Sequence, residues 1–123
     1  MTQARRELGQ AAEADAAAAL ERSGLAVVER NVRFPHGEID IVCRDGNVWV
    51  FVEVKSRQIA WGDAPGAAVS WRKQRRLTRL AQHYLKWRRL RDVRCRFDVV
   101  EVTVEMDGTR RVRHLPSAFD AAR

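Results

Sequence analysis

The chain has 123 residues, 46% of them hydrophobic, which is enough for one hydrophobic core and too little for two. No segment approaches the roughly 18 to 20 apolar residues of a membrane span, and the N-terminus lacks the apolar stretch of a secretory signal. A net charge of +7 and a pI near 10.6 favour an anionic partner. Two cysteines without zinc or disulfide spacing fit a reducing compartment. We therefore expect one cytoplasmic domain over residues 1–123 with no membrane partner.

The first half of the chain predicts a helix followed by three strands. An alanine-rich segment carries apolar side chains at helical spacing and should end at Gly24. Two β-branched runs flank Asp45-Gly46, a strong hairpin signal. The expected ranges are 3–23 for the helix, 25–33, 39–43 and 48–54 for the strands, and 58–66 for a loop.

The second half predicts one helix and two strands. The helix should begin between Gly66 and Ser70 and continue to about Arg89, with apolar residues from Leu77 to Leu85 on one stripe. Strands should follow at 97–104 and 110–114 across a second Asp-Gly turn. The order αβββαββ predicts an α/β domain of two or three layers with a mixed sheet.

One side of the second predicted helix is strongly basic. Between Trp71 and Arg96 the sequence holds eleven bases and one acid. Six of the residues, here called the basic ridge, share the side opposite the apolar stripe: Arg72, Arg75, Arg76, Arg79, His83 and Lys86. Lys73 is an exception, because it falls on the core-facing stripe one turn before Leu77. This distribution is typical of a nucleic-acid binder, and a solvated helix face is the alternative.

The central hairpin concentrates charge on one face. If Asp45 and Gly46 are the two turn residues, residues 39, 41, 43, 48, 50 and 52 form an apolar face. The other face then carries Glu38 opposite Glu53, with Asp40 as a diagonal neighbour about 7 Å away. Opposed carboxylates destabilise a sheet unless something compensates them.

A divalent cation would compensate these carboxylates. Mg²⁺ and Mn²⁺ prefer carboxylate oxygens, so Asp40 and Glu53 are the expected ligands. Lys55 points to the same side and could orient or deprotonate a water and offset developing phosphorane charge. Arg57 follows on that face and suits phosphate contact. The alternative is an exposed sheet face in which Lys55 forms an ordinary charge pair with Glu53 or Glu38.

Three other features have two interpretations each. Asp98 either extends the acidic site or forms a buried salt bridge with Arg96 or a neighbouring arginine. His36 either contacts phosphate or a metal, or is an incidental loop histidine. Trp61 and Trp71 either stack on unpaired bases or anchor their loop to the core.

Several motifs occur together in a familiar order. They are GQAAE at 9–13, RN at 30–31, GEIDIV at 37–42, FVEVKSR at 51–57, Lys73 with AQHYL at 81–85, and RFDVV at 96–100. An acid followed after a hairpin by E-x-K resembles the PD-(D/E)xK nuclease superfamily. The finer pattern resembles the YraN-type family, which is similar to archaeal Holliday junction resolvases.

The resemblance implies a restriction-endonuclease-like fold, a mixed central sheet flanked by helices. It also implies a catalytic set of Asp40, Glu53 and Lys55. Glu13 would correspond to the first-helix glutamate of resolvase-like members, and Glu38 would be an accessory metal ligand. The family tends to carry glycine immediately before that helix glutamate, where this chain has Ala12.

The expected function is a Mg²⁺- or Mn²⁺-dependent endonuclease acting on DNA, with branched structures as candidate substrates. Arg57, Lys73 and the basic ridge would bind nucleic acid. A homodimer would suit a two-stranded substrate. The alternative function is a non-catalytic nucleic-acid-binding or assembly module that keeps the nuclease-like fold.

Overall fold

A computed structural model describes residues 2–64 and 69–121. The predicted order αβββαββ is confirmed, with a short 3₁₀ helix, Ile59–Trp61, added after the third strand. The helices and strands are α1 (Gln3–Arg22), β1 (Ala26–Phe34), β2 (Gly37–Asp45), β3 (Val48–Gln58), α2 (Trp71–Trp87), β4 (Arg94–Val104) and β5 (Arg110–Phe119).

Both helices begin at capping side chains that the sequence supplies. The Thr2 hydroxyl accepts a hydrogen bond from the Arg5 backbone N–H at 3.1 Å, and the Ser70 hydroxyl accepts one from Lys73 at 3.2 Å. α1 is followed at once by Gly24, which has a φ of +100°. Because Ser70 is its capping residue, α2 begins at Trp71, one residue beyond the range predicted for its start.

The five strands form one mixed sheet in the order β1-β2-β3-β4-β5. The β3–β4 pair is parallel, and the other three pairs are antiparallel. α2 supplies the crossover that two parallel neighbours require. Parallel pairing continues to Gln58 and Val104, so β3 extends four residues beyond its predicted end and takes up the start of the predicted loop. Residues 65 and 66 of that loop lie outside the described part of the chain.

The helices cover opposite faces of the sheet, which gives three layers. α1 packs through Ala12, Ala16 and Leu20 on a core that includes Ile41 and Val52. α2 packs on a second core rich in aromatic rings, including Phe51, Tyr84 and Phe97. Burial raises the pKa of Tyr84 to about 12, and its hydroxyl donates to Glu29 at 3.1 Å. No helix in the described ranges is long and apolar enough to cross a membrane.

The predicted register of the central hairpin is wrong. Asp45 pairs with Val48 and Ile41 with Val52, so Gly46 and Asn47 are the two turn residues. Gly46 has a φ of +59°, which fits a turn that needs positive φ at its first central position. Pairing between β2 and β3 ends at Ile41 and Val52, so the predicted pair of Glu38 with Glu53 does not form.

The predicted apolar face of the hairpin is correct except at Ile39. Ile41, Cys43, Val50 and Val52 lie in the core beneath α1, and Val48 packs against it. Ile39 belongs to the core beneath α2 instead. Because Ile39 and Ile41 serve opposite faces, β2 departs from regular alternation at Asp40, where the pairing with β3 also ends.

Candidate active site

Three carboxylates, one from α1 and two from β2, lie close together. Glu13 from α1 and Glu38 and Asp40 from β2 each offer an oxygen within 4.8 Å of the others. Glu13 follows Ala12, whose side chain is fully buried against the sheet. A methyl side chain at this position lets α1 pack closely, and this packing brings Glu13 to the strand acids. We call Glu13, Glu38 and Asp40 the acidic cluster.

Asp40 is held in place by the backbone of β3. Its Oδ2 accepts a hydrogen bond from the Val54 N–H at 2.8 Å, at the point where β2 and β3 stop pairing. Burial and then the charge of Glu53 raise the pKa of Asp40 from 3.8 to about 7, against the Val54 hydrogen bond, which lowers it. Glu13 and Glu38 raise the pKa further. All three neighbouring carboxylates therefore disfavour ionised Asp40.

Asn31 links two of the acids, a role the sequence reasoning did not assign. With its amide nitrogen turned toward the carboxylates, it lies 2.6 Å from Glu13 Oε1 and 2.7 Å from Glu38 Oε1. Its φ of +54° is a conformation that asparagine adopts more readily than most residues. The RN motif was the signal that could have identified it. A neutral donor thus bridges Glu13 and Glu38 without adding charge.

Two arginines of β1 moderate the repulsion at Glu13. Burial first, and then the charge of Glu38, raise the pKa of Glu13, whereas Arg30 and Arg33 lower it. Arg33 also lies 3.5 Å from Glu38 as an ion pair, although its side chain is 81% exposed. Such an exposed pair contributes little stability. The pKa of Glu13 therefore stays raised, as that of Asp40 does.

Glu53 and Lys55 line a cleft of about 430 Å³. The cleft also contains Arg57 of β3 and Lys73 of α2. Glu53 is the strongest charge acting on Asp40, so the cleft adjoins the acidic cluster. The fold thus gathers the predicted Glu13, Glu38, Asp40, Glu53 and Lys55 in one region.

The structure shows where the cations of the cleft lie. Lys73 is exposed, and its side chain lines the cleft together with residues of β3 and β4. Arg57 is half-buried, and its Nε donates to Thr103 Oγ1 at 3.2 Å. This hydrogen bond fixes the Arg57 side chain across the β3–β4 pair. Both cations are within the same cleft as Glu53 and Lys55.

An ion pair that sequence reasoning missed closes one end of this cleft. Arg5 of α1 makes two hydrogen bonds to Asp63, at 2.7 and 2.8 Å, and stacks on the Trp61 ring at 4.7 Å. The Arg5 hydrogen bond, followed by one from the Gln58 N–H, lowers the pKa of Asp63 to about 2. Because the partners are 58 positions apart, no local pattern points to the pair. Trp61 is 41% exposed and belongs to neither core, so its contact with Arg5 does not anchor the loop to the core.

The basic ridge is exposed throughout, as predicted. The first four residues of the ridge line a groove of about 380 Å³ together with Trp71 and His36, here called the ridge groove. These four residues are Arg72, Arg75, Arg76 and Arg79. Lys86 lies further along α2 on a second groove with Arg89 and Arg91. Since Lys73 on the same helix lines the cleft with Glu53 and Lys55, the N-terminal half of α2 lies between that cleft and the ridge groove.

Asp98 forms a buried salt bridge with Arg96, the second of the two interpretations of this residue. It is fully buried, and Arg96 donates to both of its oxygens at 3.0 and 3.1 Å. His114 lies 2.7 Å from Asp98 Oδ2, and the Ser117 N–H donates to Oδ1 at 3.0 Å. These contacts tie β5 to β4. Asp98 is therefore satisfied within the protein and is not part of the acidic cluster.

The chain is similar in sequence to several proteins of one family. It is 49% identical over 116 residues to a UPF0102 protein of Symbiobacterium thermophilum, covering 94% of this chain and 98% of that relative. It is 44% identical over 120 residues to a UPF0102 protein of Syntrophotalea carbinolica, covering 98% and 97%. The sequence model of the uncharacterised protein family UPF0102 matches residues 12–102, a range that holds the acidic cluster, Glu53, Lys55 and the ridge. The chain therefore belongs to UPF0102, the YraN-type family that its motifs predict.

Proposed function

We propose that this protein is a divalent-metal-dependent endonuclease that hydrolyses phosphodiester bonds in DNA, with branched structures as its preferred substrates. The observation that carries the proposal is the set of four carboxylates, Glu13, Glu38, Asp40 and Glu53, gathered beside Lys55 at the edge of a cationic surface. Perturbed carboxyl pKa values beside a cleft are typical of functional sites. The nuclease superfamily that the motifs resemble uses the same residue types.

The acidic cluster fits a hard divalent cation. All of its ligand atoms are carboxylate oxygens, which suit Mg²⁺ or Mn²⁺. The three charges acting on Asp40 are negative, and each makes its ionised form less favourable. A cation held there would reverse that effect. Asp40 and Glu53 would hold the ion, assisted by Glu13 or Glu38.

The remaining residues take roles that follow from their positions. When bound, the metal supplies polarisation of the phosphoryl group and acidification of a water. Lys55 lies in the cleft with Glu53, where it can orient that water or neutralise charge on the phosphorane. Arg57 and Lys73 line the same cleft, and they would contact phosphate oxygens. The basic ridge would hold the rest of the DNA by its backbone.

A panel of labelled DNAs tests the proposal: duplex, single strand, flap and four-way junction. Each is incubated with Mg²⁺, Mn²⁺ or EDTA. We expect cleavage of at least one structure with either metal and none in EDTA, and the preferred structure identifies the substrate class. If every DNA is bound but none is cut with either metal, the protein is a binding module with a nuclease-like fold.

A second prediction concerns the basic ridge. Arg75→Gln combined with Arg79→Gln should weaken binding to all DNAs about equally and should reduce the slope of log Kd against log salt by about 2, since each lost phosphate contact removes roughly one counterion. Arg6→Gln combined with Arg22→Gln, two exposed α1 positions, matches the change in net charge and should leave the slope within about 0.5 of wild type. Equal slopes for the two double variants would exclude the ridge as the DNA contact.

A further inference from the structure

Three aromatic rings lie nearly parallel where the β1–β2 hairpin meets α2. The Phe34 and His83 centroids are 4.2 Å apart with an 18° angle between the ring planes. His36 and His83 are 5.5 Å apart at 12°, and Phe34 and His36 are 6.5 Å apart at 22°. Trp87 meets Phe34 edge-on at 6.4 Å. We call Phe34, His36, His83 and Trp87 the ring platform.

The hairpin tip is packed tightly enough to fix these rings. A Cβ on Gly37 would lie 3.1 Å from Leu80 Cδ1 and 3.7 Å from Arg76 Cδ. Glycine at this position, with a φ of +155°, therefore lets the tip rest directly on α2. His36 is thereby brought from the tip onto His83 of the helix. The platform is preorganised, which lowers the entropy lost when a ligand binds.

Core packing does not account for the outer rings. Phe34 is partly buried and packs against the core beneath α2, but His36 and His83 are exposed and Trp87 is 57% exposed. Tyr84, the residue that follows His83 on α2, is fully buried by comparison. Exposed flat rings in near-parallel stacking offer a surface on which a further flat ring can stack.

The surroundings of the platform are cationic. His36 lines the ridge groove with Arg72, Arg75, Arg76 and Arg79, and no acid of the described residues lines that groove. A ligand that matches both features has flat rings and regularly spaced negative charges. Nucleic acid has both, but a duplex hides its base faces in the stack, whereas a single strand exposes them. An acidic peptide matches the arginines and leaves the rings unused.

We propose that the ring platform binds unpaired bases of a single-stranded segment, while the neighbouring ridge arginines bind its phosphates. The proposal rests on the proposed function for nucleic acid as the partner class and is independent of whether cleavage occurs. It specifies the substrate as DNA with an unpaired segment beside a duplex, such as a flap or an opened branch. This segment would lie next to the cleft that holds Glu53 and Lys55, because Lys73 lines that cleft and its neighbours on α2 line the ridge groove.

Matched substitutions test the platform. His36→Gln with His83→Gln removes both imidazole rings but keeps side chains of similar size, whereas His36→Phe with His83→Phe keeps rings. Affinity for labelled oligothymidylate and for a blunt duplex is measured in EDTA, where no cleavage interferes. Because stacking contributes substantially per base, we expect the Gln pair to lose roughly tenfold or more in affinity for the single strand and the Phe pair to stay within about threefold. Because His83 also belongs to the basic ridge, both pairs should weaken duplex binding by the same small factor, no more than about threefold, which is well below the loss of the Gln pair on the single strand. Gln82→Ala, an exposed α2 neighbour of His83, is the control and should behave as wild type.

Two results would overturn the proposal. One is equal single-strand affinity for the Gln pair and wild type, which would show that the rings are not used. The other is an equal loss on single strand and duplex, which would show that only charge is involved. Failure of the nuclease proposal is recognised separately, because it appears as absent cleavage by a protein whose single-strand binding still depends on the rings.

Discussion

Asp40→Asn is expected to make the metal-free protein more stable than wild type above about pH 7, by up to about 4 kcal/mol in the free energy of unfolding. The wild-type carboxyl has its pKa raised from 3.8 to about 7 by burial and by Glu53. Above that pH the folded protein must keep a half-buried charge beside three other carboxylates. Asparagine removes the charge, and its side-chain oxygen can still accept the hydrogen bond from Val54.

The dependence of folding stability on pH tests this effect and its sign. Because the folded protein holds the Asp40 proton more tightly than the unfolded chain, wild type should lose stability as pH rises from about 4 to about 7. The Asp40→Asn variant should lack this part of the slope. Urea unfolding in EDTA at several pH values measures both. Asp120→Asn, an exposed aspartate outside the acidic cluster, controls for the chemical change. Identical slopes for wild type and Asp40→Asn would show that the cluster does not raise this pKa.

Divalent metal should reverse the order of stability, so that wild type becomes more stable than Asp40→Asn. A ligand that binds only the folded state adds stability that grows with its concentration. Mn²⁺ should therefore raise the unfolding midpoint of wild type, and it should raise that of Asp40→Asn much less. If the acidic cluster were only a solvated surface, Asp40→Asn would not be more stable than wild type without metal. Mn²⁺ would then also raise the unfolding midpoints of the two proteins equally.

Local patterns were sufficient to predict the order of the elements. Apolar spacing identified both helices, and the β-branched runs around Asp45-Gly46 identified the central hairpin. The register failed because the two residues after Asp45 form the turn, a choice between neighbouring positions that composition does not settle. The end of β3 was missed because it depends on pairing with β4, whose partner residues lie 46 positions further along the sequence.

The candidate site was predictable only as a set of residue types. Asp40, Glu53 and Lys55 follow from charges in otherwise apolar strands, and Glu13 required the family resemblance. The contribution of Asn31 depends on a backbone turn in β1 that brings its amide between Glu13 and Glu38. The Arg5–Asp63 pair joins distant segments, and the ring platform joins a hairpin tip to α2. These features arise from tertiary contacts and have no local signature.

Glu53→Gln and Lys55→Ala should each reduce metal-dependent cleavage by at least roughly 10³-fold while DNA affinity stays within about threefold of wild type. Glu53 is a proposed metal ligand, and Lys55 acts where charge develops at phosphorus, so both effects belong to the chemical step. Binding depends on the ridge, the platform and the cleft cations Arg57 and Lys73, and neither variant changes any of these residues. Single-turnover cleavage of the preferred DNA measures the chemical step, and affinity measured separately in EDTA reports binding.

Glu101→Gln provides the matched control for these variants. Glu101 lines the same cleft from β4, but it is not among the charges that act on Asp40. We expect it to reduce cleavage less than tenfold, whereas a general electrostatic role of cleft acids would make it as damaging as Glu53→Gln. If cleavage and binding fall together in the Glu53 and Lys55 variants, these residues hold DNA rather than act on it. Cleavage lost with binding retained, in those two variants and not in Glu101→Gln, assigns the chemistry to the region where the acidic cluster meets the cleft.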